Sequence, residues 1–235
     1  MLITNKVAVV TGASKGIGRA TALALARNGA HVAISARSEL LLDQLAHEIR
    51  DIGTKAYAFV GDMSSEKDIK KFISTTIDKF QHIDILINNA GIGHFKKIAE
   101  MPTETWDEMF NLNVRGLFLA TRESLPHLRN TVESVVVNVV SLAGKNAFVG
   151  GGGYAATKHA VLGFSRCLML EERENGVRVL AICPGSVATH FSGKTDDPRR
   201  ERITQPEDVA ETIIHMIKIP QRAMISEIDI RPTNP

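Results

Sequence analysis

Cysteine is scarce in this chain: Cys167 and Cys183 are the only two among 235 residues. Neither has a neighbour at metal-ligand spacing, and a disulfide framework would need more, so both are expected to be free and reduced. A dominant charge of one sign is also missing, since 28 basic and 26 acidic residues leave a formal net charge of +2. With no basic block to follow a phosphate backbone, nucleic acid is not an expected partner. Long apolar runs are absent as well. No stretch reaches the roughly 18 residues of a membrane span, and residues 1–6 lack the basic, apolar and small-residue order of a secretory signal. A soluble, cytoplasmic protein without a membrane partner is expected. The eight histidines form no local pair with a carboxylate at metal spacing, so no metal site is expected either.

What is present is a regular alternation. Hydrophobic residues make up 44% of the chain, enough for one well-buried core, and residues 1–235 are expected to form a single domain. Apolar strand-like runs at 7–10, 31–36, 56–60, 83–87, 135–140, 177–182 and 225–230 are separated by stretches with helical spacing. Leu40, Leu41, Leu45, Ile49 and Ile52 share one helical face, and Ile69, Phe72, Ile73, Ile77 and Phe80 share another. A single helix is expected over 102–130, with Trp106 and Phe110 on its apolar face. Strands alternating with helices imply an α/β fold, a parallel sheet covered on both faces. Thr204 and Glu207 suit a capping box ahead of a last helix, with Pro206 in its first turn.

The first strand leads into Thr11-Gly12-Ala13-Ser14-Lys15-Gly16-Ile17-Gly18, and an alanine-rich helical run follows. Glycines let backbone approach a pyrophosphate closely, and a helix N-terminus offers it free N–H groups and a positive dipole end. The spacing is Gly-x-x-x-Gly-x-Gly, which differs from the Gly-x-Gly-x-x-Gly of many dinucleotide sites. About 20 residues past such glycines an acidic side chain would hold the ribose 2′-hydroxyl. This chain has Ala36 and Arg37 there, which favours NADP(H) over NAD(H), with Lys15 and Ser38 as further contacts for a 2′-phosphate. Asp62 is either a local cap or an adenine contact. Asn88-Asn89-Ala90-Gly91 closes the fourth strand, where the asparagines tie loops together and Ala90 and Gly91 admit a cofactor.

Ser141 ends the fifth apolar run, which contains Asn138, and Tyr154 and Lys158 lie four residues apart on the next helix, one turn from each other. A phenol with an ordinary pKa of about 10 exchanges protons poorly near neutrality, so an adjacent ammonium is expected to lower it. Ser141 can hold a carbonyl oxygen while a proton moves to or from Tyr154. Asn113 lies inside a predicted helix, where asparagine is unfavourable, so it either braces the core or holds a functional water. Residues 186–205, containing Thr189, Gly193 and Pro198, have weak periodicity and are expected to form a flap over the substrate.

Taken together, Thr11 to Gly18, Asn88 to Gly91, Asn113, Ser141, Tyr154, Lys158 and Pro184-Gly185 resemble the short-chain dehydrogenase/reductase family in order and separation, across roughly residues 5–231. The resemblance implies a Rossmann-type, doubly wound sheet of seven parallel strands with helices on both faces. It implies a catalytic set of Asn113, Ser141, Tyr154 and Lys158. Tyr154 would be the acid/base, Ser141 would orient the carbonyl, Lys158 would hold the nicotinamide ribose and lower the phenol pKa, and Asn113 would position a relay water. Cofactor contacts are implied for Gly12, Ser14, Lys15, Gly16, Ile17, Gly18, Arg37, Ser38, Asp62, Met63, Asn89, Ala90, Gly91, Tyr154, Lys158, Pro184, Gly185 and Val187, with Thr189 near the carboxamide. Many relatives end in a Gly-Gly-containing tail that this chain lacks, so a homodimer or a homotetramer is expected without a choice between them.

The expected activity is NADPH-dependent interconversion of a small ketone or aldehyde with its alcohol. The alternative is reduction of a 3-oxoacyl thioester of acyl-carrier protein or CoA; Arg122, Arg129, Arg166 and Arg173 could meet an acidic carrier if they are not ordinary helix-face charges. Phe95, Phe148 and Phe191 either line the pocket or pack the core. The flap has few bulky apolar side chains beyond Phe191, which suggests an open site and not a large steroid pocket. A non-catalytic NADP(H) sensor is a remote alternative, because such a protein needs no Ser-Tyr-Lys set.

Overall fold

The computed structural model describes residues 1–189, 191 and 201–233. Its frame is one sheet of seven parallel strands: β1 (Val7–Thr11), β2 (His31–Ala36), β3 (Ala56–Val60), β4 (Ile85–Asn88), β5 (Ser134–Val139), β6 (Val177–Pro184) and β7 (Glu227–Ile230). The spatial order is β3-β2-β1-β4-β5-β6-β7. Between them run α1 (Gly16–Arg27), α2 (Glu39–Asp51), α3 (Glu66–Phe80), α4 (Thr103–Phe110), α5 (Leu117–Leu128), α6 (Gly152–Glu171) and α7 (Pro206–Lys218).

Side chains along a strand point alternately to the two faces of a sheet, and each face here has its own apolar partner layer. Val10, Ile34, Ile87 and Val137 face α1, α2 and α7, against Leu25, Leu45 and Ile213. Their neighbours Val9, Ala33, Leu86 and Val136 face the other way, against Phe72 of α3, Leu119 of α5 and Leu168 of α6. Because both faces are dry, the strands read as continuous apolar runs without alternation.

Several boundaries differ from the sequence expectation. β4 begins at Ile85 and runs to Asn88, and β7 begins at Glu227. β6 continues through Cys183 to Pro184, which pairs with Ile230. Proline lacks only the donor, and in the last position of a strand that loss ends the ladder without breaking it. The expected helix over 102–130 is two α-helices joined by a π-helical turn, Asn111–Gly116. The last helix is capped one residue later than expected, by the pair Gln205 and Asp208. Thr204 instead belongs to a backbone bridge with Val187. That bridge ties the ends of the expected flap together, and Ala188 N–H donates to the Thr204 carbonyl at 2.9 Å. The middle of the flap, including Gly193 and Pro198, lies outside the described residues. Among the described residues no helix is long and apolar enough to cross a membrane.

Candidate active site

The strand order reverses direction between β1 and β4, and the crevice at their carboxyl ends is where open parallel sheets bind ligands. The glycine loop after β1 closes against the loop after β4. Gly12 has φ of +66°, and a Cβ there would lie 2.7 Å from the Ala90 Cα. A Cβ at Gly18 would lie 2.5 Å from the Gly12 carbonyl oxygen, so both positions require glycine. Asn89 joins the two loops by donating from Nδ2 to the carbonyls of Thr11 and Gly12 at 3.0 and 2.9 Å. The Thr11 hydroxyl accepts from the N–H groups of Asn89 and Ala90 at 3.0 and 3.1 Å. The tying role expected of the asparagines is therefore what the structure has.

The loop fits an anion. α1 starts at Gly16 with no side chain capping its first amides, which leaves those donors for an external acceptor. Ser14 and Ile17 are half-buried in the loop and Lys15 is exposed. Arg37, exposed at the end of β2, and Lys15 have no hydrogen-bond or ion-pair partner among the described residues. Ser38 is the N-cap residue of α2 and makes no side-chain cap bond. Asp62 is part of a local turn, since its Oδ1 accepts from the Ser64 N–H at 2.8 Å and the Ser64 hydroxyl at 2.9 Å. Met63 is buried, with its carbonyl packed where a side chain at Gly116 would have to go. Across the crevice, the loop after β6 brings the Thr189 methyl within 3.0 Å of where a Cβ on Gly16 would stand.

Ser141 follows β5 and Tyr154 lies in the first turn of α6, so a strand end and a helix start frame one corner of the crevice. The Ser141 hydroxyl faces the Tyr154 phenol and works against the rise in its pKa. It also accepts from Ala143 N–H at 3.1 Å, and it lies 3.4 Å from the Pro184 carbonyl, to which it donates. Lys158, one turn along α6, donates from Nζ to the Val139 carbonyl at 3.0 Å. Its Nζ stands 5.8 Å from the centre of the Tyr154 ring. Ala90, Gly91, Pro184, Gly185 and Val187 line the same edge, where a Cβ on Gly91 would be 3.7 Å from the Lys158 Nζ.

The electrostatics correct one expectation. Burial pushes the Tyr154 phenol up to about 12, outweighing the Ser141 hydroxyl, which pulls the other way. Burial also pushes Lys158 down to about 8. In this arrangement the ammonium is bound to a main-chain carbonyl and does not lower the phenol pKa as the spacing suggested. The phenol is consequently protonated at neutral pH and able to donate.

Asn113 sits in the π-helical turn and is 1% exposed. Its Oδ1 accepts from the Ile92 N–H and its Nδ2 donates to the Ile92 carbonyl, both at 2.8 Å. The same Nδ2 donates to the Thr157 hydroxyl at 3.0 Å, which in turn donates to the Tyr154 carbonyl at 2.8 Å. Both amide hydrogens are engaged, so the side chain braces the loop after β4 against α6. Thr157 was not singled out in the sequence, since a threonine in a helix carries no signal of its own. Asn138 was visible as a polar residue in an apolar strand: it accepts from Asn88 Nδ2 at 2.9 Å and donates to the Ser165 hydroxyl at 2.8 Å. Cys183 is buried in β6, and that burial pushes its thiol up to about 11.

The three phenylalanines do not pack the core. Phe95 meets the Tyr154 ring edge-on at 5.5 Å between centroids, Phe191 meets it at 5.5 Å, and Phe148 lies 5.8 Å from Phe95. Apolar lining that the flap itself lacks is thus supplied by the loops after β4 and β5.

Residues 6–200 match the family model of the short chain dehydrogenases. The 3-oxoacyl-[acyl-carrier-protein] reductase of Synechocystis sp. is 36% identical over 231 residues, covering 95% of this chain and 94% of that protein. Glycine betaine reductase ATRR of Emericella nidulans is 34% identical over 239 residues, but although 98% of this chain is matched it spans only 19% of that protein. Among solved structures, an alcohol dehydrogenase of the archaeon Thermococcus sibiricus, complexed with 5-hydroxy-NADP, superposes with a TM-score of 0.92 at 32% identity, covering 98% of this chain and 97% of that one. With the fold, the crevice and most of its length in agreement, the chain belongs to the short-chain dehydrogenase/reductase family of oxidoreductases.

Proposed function

We propose that the protein is an NADPH-dependent reductase that interconverts a ketone or aldehyde with its alcohol, with Tyr154 as the acid/base. The observation that carries this reading is the grouping of Ser141, Tyr154 and Lys158, with Lys158 Nζ 5.8 Å from the Tyr154 ring centre, at the same sheet edge as the glycine loop. A bound nicotinamide cofactor supplies the hydride. The backbone of Gly12 to Gly18 and the uncapped start of α1 would hold its pyrophosphate, and Asp62 and Met63 would contact its adenine. Asn89, Ala90, Gly91, Pro184, Gly185, Val187 and Thr189 border the nicotinamide end. The Arg37 and Lys15 side chains, without a partner among the described residues, would meet the 2′-phosphate together with Ser38, which is the basis for preferring NADPH.

In the reducing direction Ser141 hydrogen-bonds the carbonyl oxygen and fixes it against the phenol. As the carbonyl carbon accepts hydride, its oxygen gains negative charge and takes the proton of Tyr154, giving the alcohol and a phenolate. A phenol held near 12 is a weak acid, so its donation to the developing alkoxide is eased where the resulting phenolate is stabilised. Lys158 supplies that stabilisation once negative charge develops beside it. Asn113 and Thr157 keep the first turn of α6, and so the phenol, in register with Ser141.

A 3-oxoacyl thioester is the second reading, supported by the activity named for the Synechocystis relative. The arginines considered for an acidic carrier weigh against it. Arg122 pairs with Glu66 and Glu123, Arg129 with Glu172, and Arg166 with Glu227. Of the four, Arg173 alone has no partner among the described residues. A cofactor sensor without chemistry has no use for the Ser-Tyr-Lys cluster. The deciding experiment is NADPH and NADH oxidation by the purified protein against small ketones, aldehydes, a diketone and an acetoacetyl thioester, with Tyr154→Phe as control. Turnover of simple carbonyls that the variant abolishes supports the proposal. Turnover confined to the thioester moves the protein to the second reading, and cofactor binding without any turnover moves it to the sensor.

A further inference from the structure

Two phenyl rings, Phe95 and Phe191, pack against the Tyr154 ring and a third, Phe148, packs against Phe95; each comes from a different loop at the carboxyl edge of the sheet, Phe95 after β4, Phe148 after β5 and Phe191 after β6. They are 44%, 48% and 41% exposed, far from the burial of core aromatics such as Phe72 at 1%. Exposed aromatic surface grouped around a buried reactive hydroxyl is a mark of a ligand wall and not of scattered surface residues.

The rings are also built in. A Cβ on Gly93 would stand 2.6 Å from Cε1 of Phe191 and 3.2 Å from Cζ of Phe95, so the absence of a side chain there lets both rings close on the site. A Cβ on Gly151 would stand 2.6 Å from Cε1 of Phe148. Phe191 is held at its main chain as well, its N–H donating to the Thr189 hydroxyl at 3.3 Å. Rings seated against glycine backbone are ordered surfaces, and ordering them in advance reduces the entropy lost when a ligand binds.

From this arrangement we infer that the substrate carbonyl carries an aromatic ring directly on or next to the carbonyl carbon, gripped by Phe95, Phe148 and Phe191. The inference rests on the reductase reading of the same site. Two of the rings lie 5.5 Å from the Tyr154 ring, centroid to centroid, at 76° and 56°, so they offer differently tilted surfaces beside the phenol that the carbonyl oxygen must reach. A flat ring on the carbonyl carbon meets these as offset or edge-to-face neighbours, contacts that add about 0.5–1.5 kcal/mol beyond the area buried. A flexible chain of equal carbon number gains area but not those contacts, and it loses rotational freedom on binding.

The test compares acetophenone with 2-octanone, which have the same number of carbons. With NADPH, kcat/KM is expected to favour acetophenone by about tenfold, the equivalent of one good aromatic contact. Phe95→Leu and Phe191→Leu keep an apolar side chain but remove the ring, and each is expected to lower the acetophenone-to-2-octanone ratio about threefold to tenfold, mainly through KM. A wild-type preference for 2-octanone, or variants in which both ketones lose the same factor, would overturn the inference. Saturation-transfer NMR of acetophenone with the protein provides the arm that does not depend on turnover. Transfer in the wild type that weakens in Phe95→Leu supports the aromatic wall even if neither ketone is reduced, a result that would count against the reductase reading alone. Absence of transfer in the wild type would overturn the wall while leaving that reading intact if 2-octanone is reduced.

Discussion

Asn113 holds Ile92 by both ends of one amide, accepting from its N–H and donating to its carbonyl, each at 2.8 Å. This is the contact by which the π-helical turn fixes the loop that leaves β4, and a third bond carries the restraint to Thr157 on α6. A π turn lets the helix place this side chain inward without ending, a use such turns have at functional sites. Asn113→Ala removes three hydrogen bonds, two to the half-buried Ile92 main chain and one to the buried Thr157 hydroxyl. We expect a loss of about 2–4 kcal/mol in unfolding free energy, read by urea titration, together with a fall in kcat. A loss under about 1 kcal/mol would show that the brace is not needed.

Tyr154→Phe removes only the phenolic hydroxyl. NADPH affinity, read by fluorescence titration, should stay within a few-fold of wild type, while kcat falls by about 10²–10⁴-fold, the usual contribution of a positioned acid. Undiminished turnover would remove Tyr154 from the mechanism.

Arg37 is exposed at the end of β2 and its side chain has no partner among the described residues. Arg37→Glu puts an anion where the 2′-phosphate is expected, so the ratio of NADPH to NADH affinity should fall by at least about tenfold, as expected on losing a charge-assisted bond and gaining repulsion. If the ratio does not change, Lys15 is the residue that selects the cofactor.

Lys158 is buried, and that burial lowers its pKa from 10.5 to about 8. The native state therefore binds the proton less readily than the unfolded chain. This destabilises the fold fully below pH 8, and the penalty fades between pH 8 and 10.5. Lys158→Met should be inactive yet more stable than wild type by about 1–3 kcal/mol near pH 7, the Val139 hydrogen bond being the offset. Its advantage should shrink as pH rises through that window. Thermal unfolding of both proteins at pH 7 and pH 9.5 checks the sign, and a variant less stable at pH 7 would show that the buried ammonium is well compensated.

Most of the fold was legible from local features. Strands buried on both faces appear as unbroken apolar runs, and helices covering one face repeat at three and four residues, so β2 and β3 have their expected bounds. The boundaries that moved depend on pairing. Pro184 remains in β6 because β7 lies beside it, and Gln205 replaces Thr204 as the cap because Thr204 is taken by the bridge to Val187. The glycine loop and the Ser-Tyr-Lys spacing were equally legible, because both depend on near neighbours in the chain.

The sequence by itself determined the alternation of elements, the glycines that only a close backbone approach requires, and the four-residue spacing that puts Tyr154 and Lys158 on one helical face. Tertiary structure alone decided what those groups experience. Charge state depends on how much solvent the surrounding layers remove, so the high phenol and the low ammonium follow from burial that no spacing encodes. It also decided that Asn113 is a brace and that Phe95, Phe148 and Phe191 meet around one phenol. These residues are far apart in the chain, and only the parallel sheet, by bringing the ends of β4, β5 and β6 to one edge, makes them neighbours.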